Sequence, residues 1–244
     1  MVLIDIFHAA FSLFDIIYLD MASLNELLDQ LDRHYGPLLP PEITDPFEMI
    51  LWENVAYLAD DEKRKETFSL LKKQVGLKPH QILATPLKTL REVTKRGGIM
   101  PDQSAQKLLE AAAIAAREFG GNLQSILDLP VAKAKKALKK FPGIGEPGAE
   151  KILLFCRKLP VLALESNGVR VLLRLGYGSE ETSYSVSYRC IRKSVETQLV
   201  SEFDWLIRAH QLLRHHGQQI CKRNFPFCSE CPVSRDCDYY KKHH

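Results

Sequence analysis

Cys221, Cys228, Cys231 and Cys237 form a C-x6-C-x2-C-x5-C pattern that places four thiols within seventeen residues. Four thiolates so close in sequence can wrap one soft metal centre, and tetrathiolate ligation suits either a 4Fe-4S cluster or structural zinc. The spacing departs from the paired CxxC…CxxC layout of zinc ribbons, so a cluster is the first reading and zinc the second. Disulfides are the third, and they need an oxidising compartment. Residues 1–20 are apolar, but Asp5, Asp15 and Asp20 interrupt them and no basic segment precedes them. They read neither as a secretory signal nor as a membrane span. Met21 opens a more ordinary start, so residues 1–20 are expected to be an extension or a misassigned beginning. Cys156 and Cys190 lie in apolar or mixed surroundings and read as core fillers.

A second chemical signature is Phe141-Pro142-Gly143-Ile144-Gly145. Pro142 stops the preceding helix, the two glycines permit positive φ, and the freed N–H groups face outward where the next helix starts. Such a turn holds a phosphate without side chains. Lys133, Lys135, Lys136, Lys139 and Lys140 precede it and supply counter-charge for the same backbone. The alternative is a plain helix–helix turn beside a solvated lysine face. The charge of the whole chain, +3, hides an asymmetry. Residues 1–62 carry thirteen acids against the single base Arg33, and the rest carry thirty-two bases against seventeen acids. A polyanion would meet the second part of the chain.

The elements that must position these groups read as helices throughout. Apolar residues recur at three and four in SLNELLDQLDRHYG, which ends at Gly36 before a proline-rich turn. Asp45 and Pro46 open a buried helix over PFEMILWENVAYLA. Further helical patterns cover DEKRKETFSLLKKQVG, LKTLREVTKRGG, PDQSAQKLLEAAAIAAREFGG, LQSILDLP, VAKAKKALKKF and PGAEKILLFCRK. No stretch alternates at period two for long enough to build a sheet, so the fold class is all-α.

Hairpin and cysteine loop together resemble the helix-hairpin-helix DNA glycosylases of the endonuclease III type. FPGIGEPGAEKILLF is similar to the family's LPGVGxxTAxxxL, and the cysteine spacing is that of its 4Fe-4S loop. Asp45-Pro46-Phe47-Glu48 resembles the start of the family's second helix. His216-Gly217 stands where the family has such a pair, and Asp238-Tyr239 follows the last cysteine. The resemblance runs over roughly residues 25–240. It implies a bilobal protein with double-stranded DNA in the cleft between lobes. A six-helix barrel lobe over residues 46–157 would end in the hairpin, and a second lobe, residues 21–45 with 158–244, would carry the cluster. It implies a monomer without a membrane, in the cytoplasm and on the nucleoid if bacterial. The cluster would place Lys222, Arg223 and Arg235 on the phosphate backbone, beside Gly143, Ile144, Gly145, Lys139 and Lys140 of the hairpin.

Chemistry on a base inside a duplex requires the nucleotide to be turned out of the stack and the gap to be filled. The family's wedge falls in the segment matching Ala56 to Asp61, where this chain offers Tyr57 and Leu58. Bifunctional members carry a Schiff-base lysine two residues after the hairpin's last glycine; Pro147 stands there. Lys151, a turn further along, substitutes only with changed geometry. The family's aspartate, in a VDTHxxRV or LDGNxxRV segment, aligns with Glu165 of Leu164-Glu165-Ser166-Asn167-Gly168-Val169-Arg170-Val171. A carboxylate there stabilises an oxocarbenium-like sugar or activates water. Glu53 falls where adenine-specific members keep the glutamate that protonates the departing base, and an acid in an apolar helix would stay protonated nearer neutral pH. Its alternative is a surface glutamate or an arginine's partner. Asp60 and Asp61 are further cleft carboxylates or caps of the next helix. Trp52 and Tyr57 would stack on an extruded base or fill the core.

The expected enzyme is thus a base-excision-repair DNA glycosylase that hydrolyses the N-glycosidic bond without efficient strand cleavage. The alternative is a non-catalytic binder of damaged or unusual DNA that kept hairpin and cluster. A mispaired purine, mismatched uracil or thymine, an oxidised pyrimidine and an alkylated purine all remain open as the excised base.

Overall fold

The computed structural model describes residues 23–244, and the reading of residues 1–20 lies outside the described residues. Helix α1, Leu24–Tyr35, begins with a reciprocal cap in which Ser23 and Glu26 bond each other's backbone amides. Its buried stripe of Leu24, Leu27, Leu28 and Leu31 follows the helical period. Helix α2, Pro46–Asn54, starts where the Asp45 side chain accepts from the amides of Phe47 and Glu48. With Pro46, Phe47, Met49, Ile50, Leu51 and Asn54 buried, it runs through the core.

Helices α3, Asp61–Gln74, α4, Pro79–Ala84, and α5, Leu87–Thr94, lead to the longest described element, α6, Pro101–Phe119. Ala105, Leu108, Ala111, Ala112 and Ala115 of α6 are fully buried, and such small side chains let α2, α4 and α5 approach it closely. A short α7, Ser125–Asp128, and α8, Val131–Leu138, bring the chain to the turn before α9, Glu146–Phe155. Then come α10, Ser166–Leu175, α11, Tyr184–Val195, α12, Phe203–Gln219, and α13, Asp238–His243. Helix α12 packs on α10, α1 and α9, and α13 packs on α10. Two single 3-10 turns, Cys228–Glu230 and Ser234–Asp236, separate the last cysteines. Among the described residues there is no strand, only an isolated bridge between Tyr57 and Gly98. The all-α expectation is met, and no helix of the described residues is long and apolar enough to cross a membrane.

A buried carboxylate ties three of these helices. Glu150 of α9 pairs with Lys135 of α8 at 2.8 Å and with Arg192 of α11 at 2.7 Å, and it accepts from the Tyr188 hydroxyl. Burying such a charge is tolerable only because its oxygens are all engaged.

The turn between α8 and α9 differs from expectation in one respect. Gly143 has φ +73, whereas Gly145 sits at φ −88, extended backbone open to any residue. Gly143 is held against α2 by Asn54, whose side-chain amide donates to the carbonyls of Ile50 and Pro142, both at 2.9 Å. A Cβ on Gly143 would lie 2.7 Å from Asn54 Oδ1, whereas one on Gly145 would meet only Pro147 Cδ at 3.9 Å. We expect Gly143→Ala to cost about 2 kcal/mol or more in urea unfolding, through positive φ and the clash together. Gly145→Ala should leave the midpoint unchanged, and equal midpoints for both variants would contradict this assignment.

Candidate active-site cleft and nucleic-acid interface

Because α2 is apolar on nearly every face, the carboxylate of Glu53 on its last turn must find cations. It meets Lys151 of α9, Nζ to Oε2 2.6 Å, with the two side chains only 13% and 19% exposed for lysine and glutamate. Arg64 of α3 and Arg214 of α12 add their charges. Burial alone would raise the Glu53 carboxyl, but these cations outweigh it and hold it below its ordinary value. The expectation of a protonated Glu53 is therefore corrected: desolvation is present, and three positive neighbours reverse its effect.

The same cations are fixed from behind. Arg64 Nη1 donates to the Trp52 carbonyl at 2.7 Å, and Arg214 pairs with Asp61. Asp60, not Asp61, caps α3, accepting from the Lys63 amide at 2.8 Å. His210 of α12 is buried beside this group. Burial, with the Lys151 charge adding to it, pushes its imidazole down to about 3. A carbonyl only accepts, so the neutral ring donates Nδ1–H to Ala163 O at 2.6 Å.

Glu165 is the cap of α10. Its Oε1 accepts from the amides of Asn167 and Gly168 at 2.8 and 3.1 Å, and its Oε2 from the Asn167 side chain at 2.9 Å. Asn167 in turn accepts from Arg170, which also donates to the carbonyls of Gly217 and Cys221. The local sequence thus builds a rigid carboxylate: an acid at the cap position, amides at the next turn, and an asparagine that locks the second oxygen. Glu53, Asp61, Glu165, Lys151, Arg64, Arg214 and His210 all line one cleft of about 1250 Å³. Arg64 Nε and Gln218 Oε1 are buried there without a hydrogen-bond partner among the described residues.

Tyr57 and Leu58 line the same cleft and are exposed, Leu58 by 73% and with φ +51. This loop is held by a second one: Tyr57 N donates to Gly97 O at 2.8 Å and Ile99 N donates to Tyr57 O. At Gly98, φ +115, any Cβ would lie 2.0 Å from the Tyr57 carbonyl, so only glycine permits this approach. The pairing sets Ile99, 68% exposed, next to the Tyr57 loop. Sequence reasoning passed over Ile99; its signal is an apolar pair, Ile99-Met100, between a glycine pair and Pro101. Trp52 also reaches the cleft, but packs edge-on against Phe68.

The hairpin stands apart from that lining. Ile144 is buried, so this segment offers backbone rather than side chains. The lysines before it are less free than expected: Lys139 pairs with Glu146, Lys140 with Glu118, and Lys135 with Glu146 and Glu150. The Lys139 and Lys140 pairs are exposed and worth little, so a phosphate can take over either cation. Lys222 and Arg223 line the cleft, whereas Arg235 lies in the 3-10 turn Ser234–Asp236 outside its lining.

Cys221, Cys228, Cys231 and Cys237 line one cavity together, and none forms a disulfide. Their neighbours suit sulfur ligands. Arg174 donates to Cys221 Sγ at 3.3 Å and to the carbonyls of Lys222 and Arg223, with its guanidinium 4.5 Å from the Tyr239 ring centroid. His216 sits 3.6 Å from Cys231 Sγ through Nε2, and its Nδ1 meets the Tyr35 hydroxyl at 2.8 Å. Among the described residues no three side chains converge tightly enough to hold a single metal ion. Four cysteine sulfurs are a donor set of the kind that soft metal centres take.

No protein-family model matches the chain. An endonuclease III of Rickettsia conorii is 36% identical over 107 residues, 43% of this chain and 47% of that protein. The match thus spans about half the length of that relative. An endonuclease III of Thermotoga maritima is 24% identical over 199 residues, 82% of this chain and 85% of its own. The structure of a trapped endonuclease III-DNA covalent intermediate superposes with a TM-score of 0.70 at 21% identity, covering 91% of this chain and 99% of that one. The chain thus shares the fold of endonuclease III and is similar in sequence to endonuclease III proteins.

The neutral His210 has a consequence in acid. Between its ordinary value of 6.5 and about 3, the unfolded chain binds a proton that the folded chain refuses. Stability tied to this ring is complete above that window and is lost as pH falls through it. We expect the loss attributable to His210 to approach about 1.4 kcal/mol per pH unit near pH 5. Urea unfolding of wild type and His210→Gln at several pH values checks this: the variant's decline should be shallower, and parallel declines would contradict it.

Proposed function

We propose that this protein is a base-excision DNA glycosylase that hydrolyses the N-glycosidic bond of an everted nucleotide. The observation that carries the reading is that Glu165 and the Glu53–Lys151 pair line one cleft, with exposed Tyr57 and Leu58 on the same lining. Tyr57, Leu58 and Ile99 provide the wedge: apolar tips on a loop pair fixed by backbone bonds, able to fill the gap left by an extruded base. Lys65, Lys72, Lys222 and Arg223 line the cleft and suit the phosphates of double-stranded DNA, as do the backbone amides of the hairpin.

The reacting sugar would sit against Glu165. As the glycosidic bond breaks, positive charge develops at the sugar carbon, and a carboxylate locked by three donors stabilises it without reorganising. The same group orients a water and takes its proton as the oxygen bonds to carbon. Pro147 carries no amine, so the strand-cleaving Schiff base of that position is closed. The reading in which the protein only binds DNA draws on one observation: both Glu165 oxygens already accept hydrogen bonds, Oε1 from the helix-start amides and Oε2 from the Asn167 side chain.

Cys221, Cys228, Cys231 and Cys237 would hold a 4Fe-4S cluster in preference to zinc. Such a cluster would cross-link the loops that carry Lys222 and Arg223, and its contribution here is structural.

Purified protein should show sulfur-to-iron absorption at roughly 400 nm; colourless protein containing one zinc per chain would contradict the cluster assignment. The glycosylase reading is tested on duplexes carrying uracil, thymine mismatches, oxidised bases and alkylated bases, each read with and without alkali. Strand breaks should appear only after alkali. Glu165→Gln should lower release by about 100-fold or more while leaving duplex affinity within about threefold. Undiminished turnover in the variant would remove Glu165 from its role.

A further inference from the structure

Position 151 lies one helical turn beyond position 147, on the same face of α9. Pro147 vacates the place of an amine, and Lys151 reaches the cleft from the next turn. The chain therefore keeps an ammonium on this wall, displaced along the helix.

Its surroundings define what this ammonium can do. Arg64 donates through Nη1 to the Trp52 carbonyl, with its Nε left unpartnered among the described residues, and Arg214 pairs with Asp61. Lys151 pairs with Glu53 on one side and meets the cleft on the other. An ammonium has three donors, and the carboxylate takes one. Lys151 Nζ stands 2.6 Å from a glutamate that two arginines also hold charged, which leaves the other ammonium hydrogens to donate into the cleft. The same charges leave Glu53 without a proton to give to a departing base.

We propose that Lys151 is a catalytic residue whose ammonium hydrogen-bonds the departing base and stabilises the negative charge it gains as the glycosidic bond breaks. This rests on the glycosylase reading above. The electron pair of the C1′–N bond leaves with the base, the sugar carbon takes the water oxygen, and the water's proton passes to Glu165. Solvent carries that proton from Glu165 to the released base, so the reaction is balanced as a hydrolysis. Glu53 is the positioning residue: it orients the ammonium and receives no proton. The bases served best are those that leave as delocalised anions, with a ring carbonyl beside the glycosidic nitrogen to accept the lysine's bond. Purines that depart only after protonation find no acid here.

Single-turnover release is measured from duplexes with uracil, 5-fluorouracil and thymine opposite guanine, and with adenine mispairs. Lys151→Met should slow uracil release by about 100-fold or more, with a smaller loss for 5-fluorouracil, whose anion needs less stabilisation. Lys151→Arg should recover part of the rate. Affinity for a duplex carrying an uncleavable 2′-fluoro nucleotide, and the melting temperature, should stay close to wild type for the arginine variant. The proposal is overturned by release within about threefold of wild type in Lys151→Met, by equal losses for all leaving groups, or by activity on adenine alone. A borohydride-trapped adduct at Lys151 would overturn it as well, since it would make the residue a nucleophile. If wild-type protein releases no base at all, the glycosylase reading fails and this inference with it. An active wild type with an unaffected Lys151→Met removes the inference alone.

Discussion

The charges gathered around Glu53 set the terms for everything else in the cleft. Glu53 and Asp61 meet Lys151, Arg64 and Arg214 where α2, α3, α9 and α12 come together. Withdrawing such groups from water costs several kcal/mol each, and only close pairing offsets it. These four helices are consequently not free to rearrange around a ligand, because each shift would strand a charge. The cleft is preorganised, and the field inside it acts at full strength on whatever enters.

Around that fixed centre the chain arranges parts of different chemistry. Glu165 is presented by a helix cap, the most economical way to lock a carboxylate with backbone donors. Tyr57 and Leu58 sit on a loop that depends on Gly98 having no side chain. Asn54 binds the hairpin to the same helix that carries Glu53, so the hairpin backbone and the acidic wall share one support. Arg174 joins the cysteine loops to the carbonyls of Lys222 and Arg223, and thus to the cationic side of the cleft. Each part is positioned by α2, α9, α10 or α12, and the proposed reaction needs all of them in register.

Much of this was legible before the fold was known. The helices, the cap at Asp45 and the four cysteines were marked by residue type and spacing; Glu165, Glu53, Asp61, Tyr57 and Leu58 were marked through the resemblance to the glycosylases, and the cleft brings these five together. What escaped was pairing across long separations. Glu53 looked like an isolated acid in an apolar helix; its proton affinity is decided by Lys151, Arg64 and Arg214, which lie elsewhere in the sequence. Gly145 looked like its neighbour Gly143, yet only Gly143 takes positive φ, because Asn54 pins the turn from α2. Ile99 was hidden for a similar reason: nothing local to it shows that Gly97 and Gly98 zip against Tyr57. The lysine run before the hairpin overstated its free charge, since Glu118 and Glu146 reach back to it.

The central claim is that a nucleotide enters this cleft with its sugar against Glu165 and its base against Lys151. A crystal structure of the protein with a duplex containing an uncleavable 2′-fluoro nucleotide tests it most directly. The account predicts that nucleotide everted between the two residues, with Leu58 or Tyr57 in the vacated stack. A duplex left fully stacked, or bound on a face away from the cleft, would contradict it.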